Sequence, residues 1–141
     1  MRLKMDALTM SFCDTTGRLF ELSARKGLDS RIFIEKYMNS DACRRFDLPY
    51  DRLQWAGEQY ILAELLDETP VPQGETYNGD ALFWIGYTYR YWRLYGGESS
   101  AEIYKQADAE TMNMIYPGYH TLDVASAIDR IKEANATRAK P

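Results

Sequence analysis

Arg90 and Arg93 stand three positions apart inside Phe83-Trp84-Ile85-Gly86-Tyr87-Thr88-Tyr89-Arg90-Tyr91-Trp92-Arg93-Leu94-Tyr95, where seven of 13 residues are aromatic. The whole chain is 13% aromatic, so the segment is a concentration and not background. Trp, Tyr and Arg are the types enriched at binding hot spots. A buried tyrosine needs a partner for its hydroxyl, and a dry core would more readily use Leu or Phe. Trp84, Tyr87, Arg90, Tyr91 and Arg93 are therefore candidate binding residues on a surface or cleft. The plainer reading is a bundle helix whose tyrosines reach solvent or polar partners at its edge.

The next residues, Gly96-Gly97-Glu98-Ser99-Ser100, open another helix. Free N–H groups and the helix dipole favour an anion there. Arg90, Arg93 and Lys105 would add positive charge, and the tyrosines would stack on a base. Glu98, Ser99 and Lys105 thus join the candidate partner- or ligand-binding set. No P-loop and no G-x-G-x-x-G after a strand accompanies them. A helix–turn–helix joint explains the glycines and the Ser99-Ser100-Ala101-Glu102 capping box more simply.

Catalysis is not the expected role. General acid–base chemistry needs paired titratable groups in a cleft. Glu58, Glu98 and His120 are the candidates by type, but nothing in their spacing brings them together. His120 follows Pro117-Gly118 and reads as a loop residue bonded to backbone. Ser99, Ser100, Cys13 and Cys43 carry no nucleophile signature. There is no CxxC, and His120 is the only histidine, so no transition-metal site and no cofactor are expected. Cys13 and Cys43 read as small buried apolar residues of a reducing compartment.

The elements that must position these residues read as helices. Alanine occurs 14 times and leucine 13 times, valine only twice, a ratio that favours helix over strand. Met5, Leu8, Phe12, Leu19 and Leu22 mark a first helix, closed by Arg25-Lys26 and a left-handed Gly27, with Gly17 a candidate break. Asp29 or Ser30 caps a helix bearing Ile32, Phe33, Ile34, Tyr37 and Met38, and Ser40 caps a further turn through Phe46. Asp51 and Gln54 resemble a capping box for a helix to about Asp67. The prolines and glycines of 69–79 make the one clear loop. A helix over Asp80–Tyr95 is apolar nearly all round, with Leu82, Ile85, Tyr89 and Trp92 on one face and Phe83, Tyr87, Tyr91 and Leu94 on the other. That pattern predicts the central helix of a bundle, approached closely by a neighbour at Gly86. The helix from Ser99 breaks near Asp108, Pro117-Gly118 turns, and Thr121 or Asp123 caps a last helix.

The expected fold is all-α: a compact single-domain bundle of about six helices over 1–134, with a polar, frayed end at 135–141. The 141 residues and 16.3 kDa suit one domain, with a folded surface of roughly 7,500 Å². No apolar run is long enough to span a bilayer and no signal-peptide core follows Met1, so a cytoplasmic location without membrane contact is expected. The net charge of -4 argues against nucleic acid. Charge is uneven: residues 53–80 hold six acids and no base, while 81–97 hold only Arg90 and Arg93. That acidic block reads either as a steering surface for a charged partner or as a solvated helix face.

Several strings also carry a resemblance. Phe33-Ile34-Glu35-Lys36-Tyr37-Met38-Asn39-Ser40, Gln54-Trp55-Ala56-Gly57-Glu58-Gln59-Tyr60-Ile61-Leu62, Tyr87-Thr88-Tyr89-Arg90-Tyr91-Trp92 and Gly97-Glu98-Ser99-Ser100-Ala101-Glu102-Ile103-Tyr104-Lys105-Gln106-Ala107 are similar to a family of small uncharacterised bacterial cytoplasmic proteins. The similarity covers about residues 19 to 131. The resemblance implies an accessory protein near toxin–antitoxin-type gene modules, hence a partner-binding or antitoxin-like role, and supplies no catalytic residues. Two expectations stand side by side. One is an acidic protein-interaction module, binding a partner protein or a second copy through an exposed Tyr/Trp patch. The other is a small-molecule or nucleotide binder using the aromatic helix and the Gly97–Ser100 turn.

Overall fold

A computed structural model describes residues 7–48 and 56–139. Among the described residues eight helices follow one another: α1 (Ala7–Arg25), α2 (Ser30–Met38), α3 (Asp41–Phe46), α4 (Glu58–Glu68), α5 (Gly79–Gly96), α6 (Ser100–Gln106), α7 (Ala109–Tyr119) and α8 (Val124–Ala139). Among the described residues β-type pairing is limited to a single bridge between Leu28 and Gln73. The all-helical bundle is as expected, but with eight helices among the described residues where about six were read. The Asp51/Gln54 capping box lies outside the described residues.

Local chemistry sets most of the boundaries. Gly27 has φ 75°, its N–H donates to Ala24 O at 2.9 Å, and Leu28 N donates to Ser23 O at 3.0 Å. That is the double C-terminal closure a glycine permits without strain. Asp29 accepts from Ile32 N at 3.0 Å, and Ser40 from Cys43 N at 3.0 Å. Ser99 and Glu102 complete their reciprocal capping box. Asp108 caps α7 by accepting from Thr111 N at 2.9 Å, the break expected there. Asp123 rather than Thr121 caps α8, accepting from Ser126 N at 2.8 Å.

Two breaks do not occur where they were read. Gly17 lies inside an unbroken α1, because its missing side chain makes room for the Phe83 ring: a Cβ there would sit 2.8 Å from that ring. Pro117-Gly118 is not a turn but part of the last stretch of α7, which runs on to Tyr119. Pro117 is exposed, and a proline near a helix end forfeits little hydrogen bonding. The chain reverses after His120 instead, with Leu122 N donating to Tyr119 O at 3.0 Å.

α5 packs against α1, α6, α7 and α8. Gly86 lets α1 approach as expected, since a Cβ there would lie 2.6 Å from the Thr16 carbonyl oxygen. The two faces of α5 are not equivalent. Leu82, Ile85, Tyr89 and Trp92 are fully buried, while Phe83, Tyr87, Tyr91 and Leu94 are half-buried. The helix is therefore not enclosed on every side, because its second row stays at the edge of the α1 contact. Phe20 organises the interior, edge-on to Phe33 at 5.3 Å, to Tyr37 at 5.6 Å and to Tyr89 at 6.2 Å. The loop after α4 is held to the α1–α2 turn by Asp29 N to Pro72 O (2.9 Å), Ser30 N to Glu75 O (3.0 Å) and Tyr77 N to Ser30 Oγ (2.9 Å). The accessible surface of 7753 Å² is close to the ~7,500 Å² expected of a compact domain of this mass.

Candidate functional site

The two arginines of α5 converge, but on a carboxylate inside the bundle. Arg90 faces α2 and α3, where its Nη1 pairs with Asp47 Oδ1. Its Nη2 reaches the Tyr37 hydroxyl at 3.3 Å and Cys43 Sγ at 3.9 Å. The guanidinium carbon lies 4.2 Å from the centre of the Phe46 ring, a cation–π stack. The Arg90 and Asp47 side chains are only 2% and 9% exposed. Arg93 Nε lies 3.2 Å from Asp47 Oδ2, although its N–H does not point along that line. One carboxylate thus answers two guanidinium groups.

Burial works against the Arg90 charge, but Tyr37, Asp47 and Cys43 outweigh it and strengthen its hold on the proton. Burial pushes the Cys13 thiol up to about 12, with the Arg90 charge pulling the other way. Cys43 is also raised by burial against the pull of Arg90. Both cysteines are buried and free, and a protonated buried thiol is a poor nucleophile. Tyr37 and Tyr89 are raised well above the usual phenol range, chiefly by burial. Tyr89 donates to Ala107 O at 2.6 Å.

A second polar group joins α5, α6 and α8. Glu98 Oε1 accepts from Trp92 Nε1 at 3.0 Å and from Lys132 Nζ at 2.6 Å, and Gln106 Nε2 donates to its other oxygen. Lys132 also lies 5.3 Å from the centre of the Trp92 ring. Partial burial raises the Glu98 carboxyl, but these three donors overcome it and leave the group below the usual range.

The remaining candidates are dispersed. Trp84 is buried, edge-on to Tyr116 at 5.8 Å, with its Nε1 lacking a hydrogen-bond partner. Tyr87 sits beside Phe83 and Tyr91 beside Tyr95, with ring centres 6.1 and 5.7 Å apart. Ser99 Oγ is committed to Glu102, and Lys105 is exposed. Arg90 and Arg93 meet Asp47, not Ser99 and Lys105. His120 holds Tyr116 O at 2.8 Å through Nδ1 and stacks on the Tyr116 ring at 4.5 Å, the backbone-bonded residue expected. Among the described residues no group of three His, Cys, Asp or Glu is placed to hold a metal ion. No helix among them is long and apolar enough to cross a membrane.

The acidic block is partly committed as well. Glu68 accepts from Asp41 N at 2.7 Å and Ala42 N at 3.0 Å, closing the first turn of α3. Glu64 pairs with Arg45 at 3.7 Å and Glu58 with Arg18 at 3.4 Å. Half of the six acids in that block therefore serve helix contacts.

Two of the open concave surfaces among the described residues flank α7. A groove of about 400 Å³ between α7 and α8 is lined mainly by apolar groups, among them Met114, Ile115, Tyr119, Ile131 and Ala134. Met114, at its rim, is 72% exposed. On the other side of Met114 a polar cleft of about 380 Å³ is bounded by Asp29, Arg31, Glu75, Tyr77 and Glu110. Sequence reasoning passed over Asp47 and this groove. Met114, Ile115 and Ile131 fall at helical apolar spacings, but nothing in that spacing separates a buried seam from an open one. No protein-family model, curated protein or solved structure matches the chain.

Proposed function

We infer that this chain is a protein-interaction module, an accessory or antitoxin-like partner of a protein encoded beside it. The observation that carries the reading is the open apolar groove of α7 and α8, with Met114 72% exposed at its rim. Contiguous exposed apolar surface marks interaction sites, and flexible, polarisable methionine is over-used at such surfaces. The family resemblance points the same way. Two free buried thiols suit a reducing cytoplasm. The nucleotide-pocket reading has less to rest on, since Arg90 is occupied by Asp47 and Ser99 by Glu102.

The test is co-expression of the tagged chain with the product of each flanking gene, followed by affinity capture and gel filtration. A stoichiometric complex with one of them is expected. Retention of none would overturn the reading.

A further inference from the structure

α7 is a ridge between two unlike surfaces that share Met114. The groove towards α8 is mainly apolar, with Arg138 also in its lining, while the cleft towards the α1–α2 turn carries Glu75, Glu110 and the α2-capping Asp29 against one guanidinium, Arg31. Arg31 does little to neutralise them. Its Nε is 3.9 Å from Glu110 Oε1, with the two side chains 50% and 74% exposed, and such open, distant pairs are weak. An apolar trough between two helices accepts the apolar face of a third. An acidic margin alongside that trough selects the charge of what enters.

We propose that the α7 ridge docks an amphipathic helix of a partner protein, its apolar face in the α7–α8 groove and its Lys or Arg flank over Asp29, Glu75 and Glu110. The proposal rests on the interaction-module reading and gives that partner its chemistry. A second copy of this chain is disfavoured, because at -4 it brings like charge to an acidic margin.

Fluorescence anisotropy with three labelled peptides of about 18 residues, long enough to form helix on docking, tests it. The first is an amphipathic Leu/Lys helix. The second has the same composition scrambled so that no apolar face forms. The third is an amphipathic Leu/Glu helix. The first should bind, with the other two at least about tenfold weaker. Met114→Ala, which trims the trough, and Glu75→Lys with Glu110→Lys, which reverses the margin, should each weaken the first by about tenfold. These positions are exposed, so folding is preserved, to be checked by circular dichroism. Equal binding of the scrambled or the acidic peptide overturns the proposal, as does unchanged affinity in both variants. A dimer in sedimentation that Met114→Ala dissociates would assign the groove to a second copy and likewise overturn it. The charge-reversed variant also separates this proposal from the broader reading. A flanking-gene partner captured equally by that variant leaves the interaction module standing and places its interface elsewhere. If the wild-type chain captures none, the module reading falls, and the peptides still decide the groove.

Discussion

Asp47 meets Arg90 inside the protein, a carboxylate at the end of α3 holding a guanidinium in the middle of α5. Two charges out of water are tolerated when each is the other's partner, and are costly when one is left alone. Asp47→Ala should therefore destabilise the fold by about 3–5 kcal/mol, measured by urea unfolding. Asp47→Leu combined with Arg90→Met should recover most of that loss, since well-packed apolar replacements of buried pairs are often neutral or better. A double variant as unstable as the single one would mean that the charge is not the source of the defect.

The α1–α5 crossing gives a second prediction. Gly86→Ala would place a methyl group 2.6 Å from the Thr16 carbonyl oxygen, which is backbone and cannot rotate away. A cost of about 1–3 kcal/mol is expected from forcing the helices apart. Gly118→Ala is the control, because nothing lies within 4 Å of a Cβ there and its φ is not positive. That change should stabilise by about 0.4–1 kcal/mol through the unfolded chain. Thermal unfolding of the two variants should move in opposite directions.

Acid stability should depend on Glu98. Its carboxyl is held below the usual range in the folded protein by Lys132, Trp92 and Gln106, against the opposing effect of burial. A depressed folded value contributes stability that is present above the ordinary glutamate range and lost as pH falls through the folded value. Glu98→Gln should lower stability at neutral pH and flatten its decline under acid. Urea midpoints between pH 7 and pH 3, with Lys132→Met as a partner variant, would check it.

Alkaline stability should depend on Cys13. Burial pushes the thiol from the usual 9.0 up to about 12, in spite of Arg90. A raised folded value contributes stability that is complete below the unfolded value and lost as pH rises through the folded one. Unfolding should thus become easier between pH 9 and about 12. Cys13→Ala should be less stable at pH 7, from the lost packing, yet show a shallower alkaline decline. An unchanged alkaline slope would show that Tyr37 and Tyr89, raised in the same direction, dominate it.

What could be read from the chain was whatever its neighbours decide. Gly27, Ser40, Asp108 and the Ser99–Glu102 box act within a few residues, and each marks a helix end as expected. The two faces of α5 were legible too, because a 3.6-residue period sorts them without outside help. The burial of Arg90 was not legible, because arginine is rarely buried and its partner lies 43 positions away. Lys132 reaches Glu98 over 34 positions for the same reason. Pro117 was misplaced because a turn signal and an exposed last helical turn use the same residues.

The crossing at Gly17 and Gly86 also bears on the order of assembly. The first helix finds its principal neighbour about 70 positions downstream, far beyond the local contacts that let simple helical bundles fold fastest. During synthesis, at about 5–20 residues per second, Phe20 and Cys13 would emerge several seconds before the segment that covers them. Nascent chains stalled between the fourth and fifth helices should be bound by holding chaperones, and release should follow extension past Gly96 and the ribosomal tunnel.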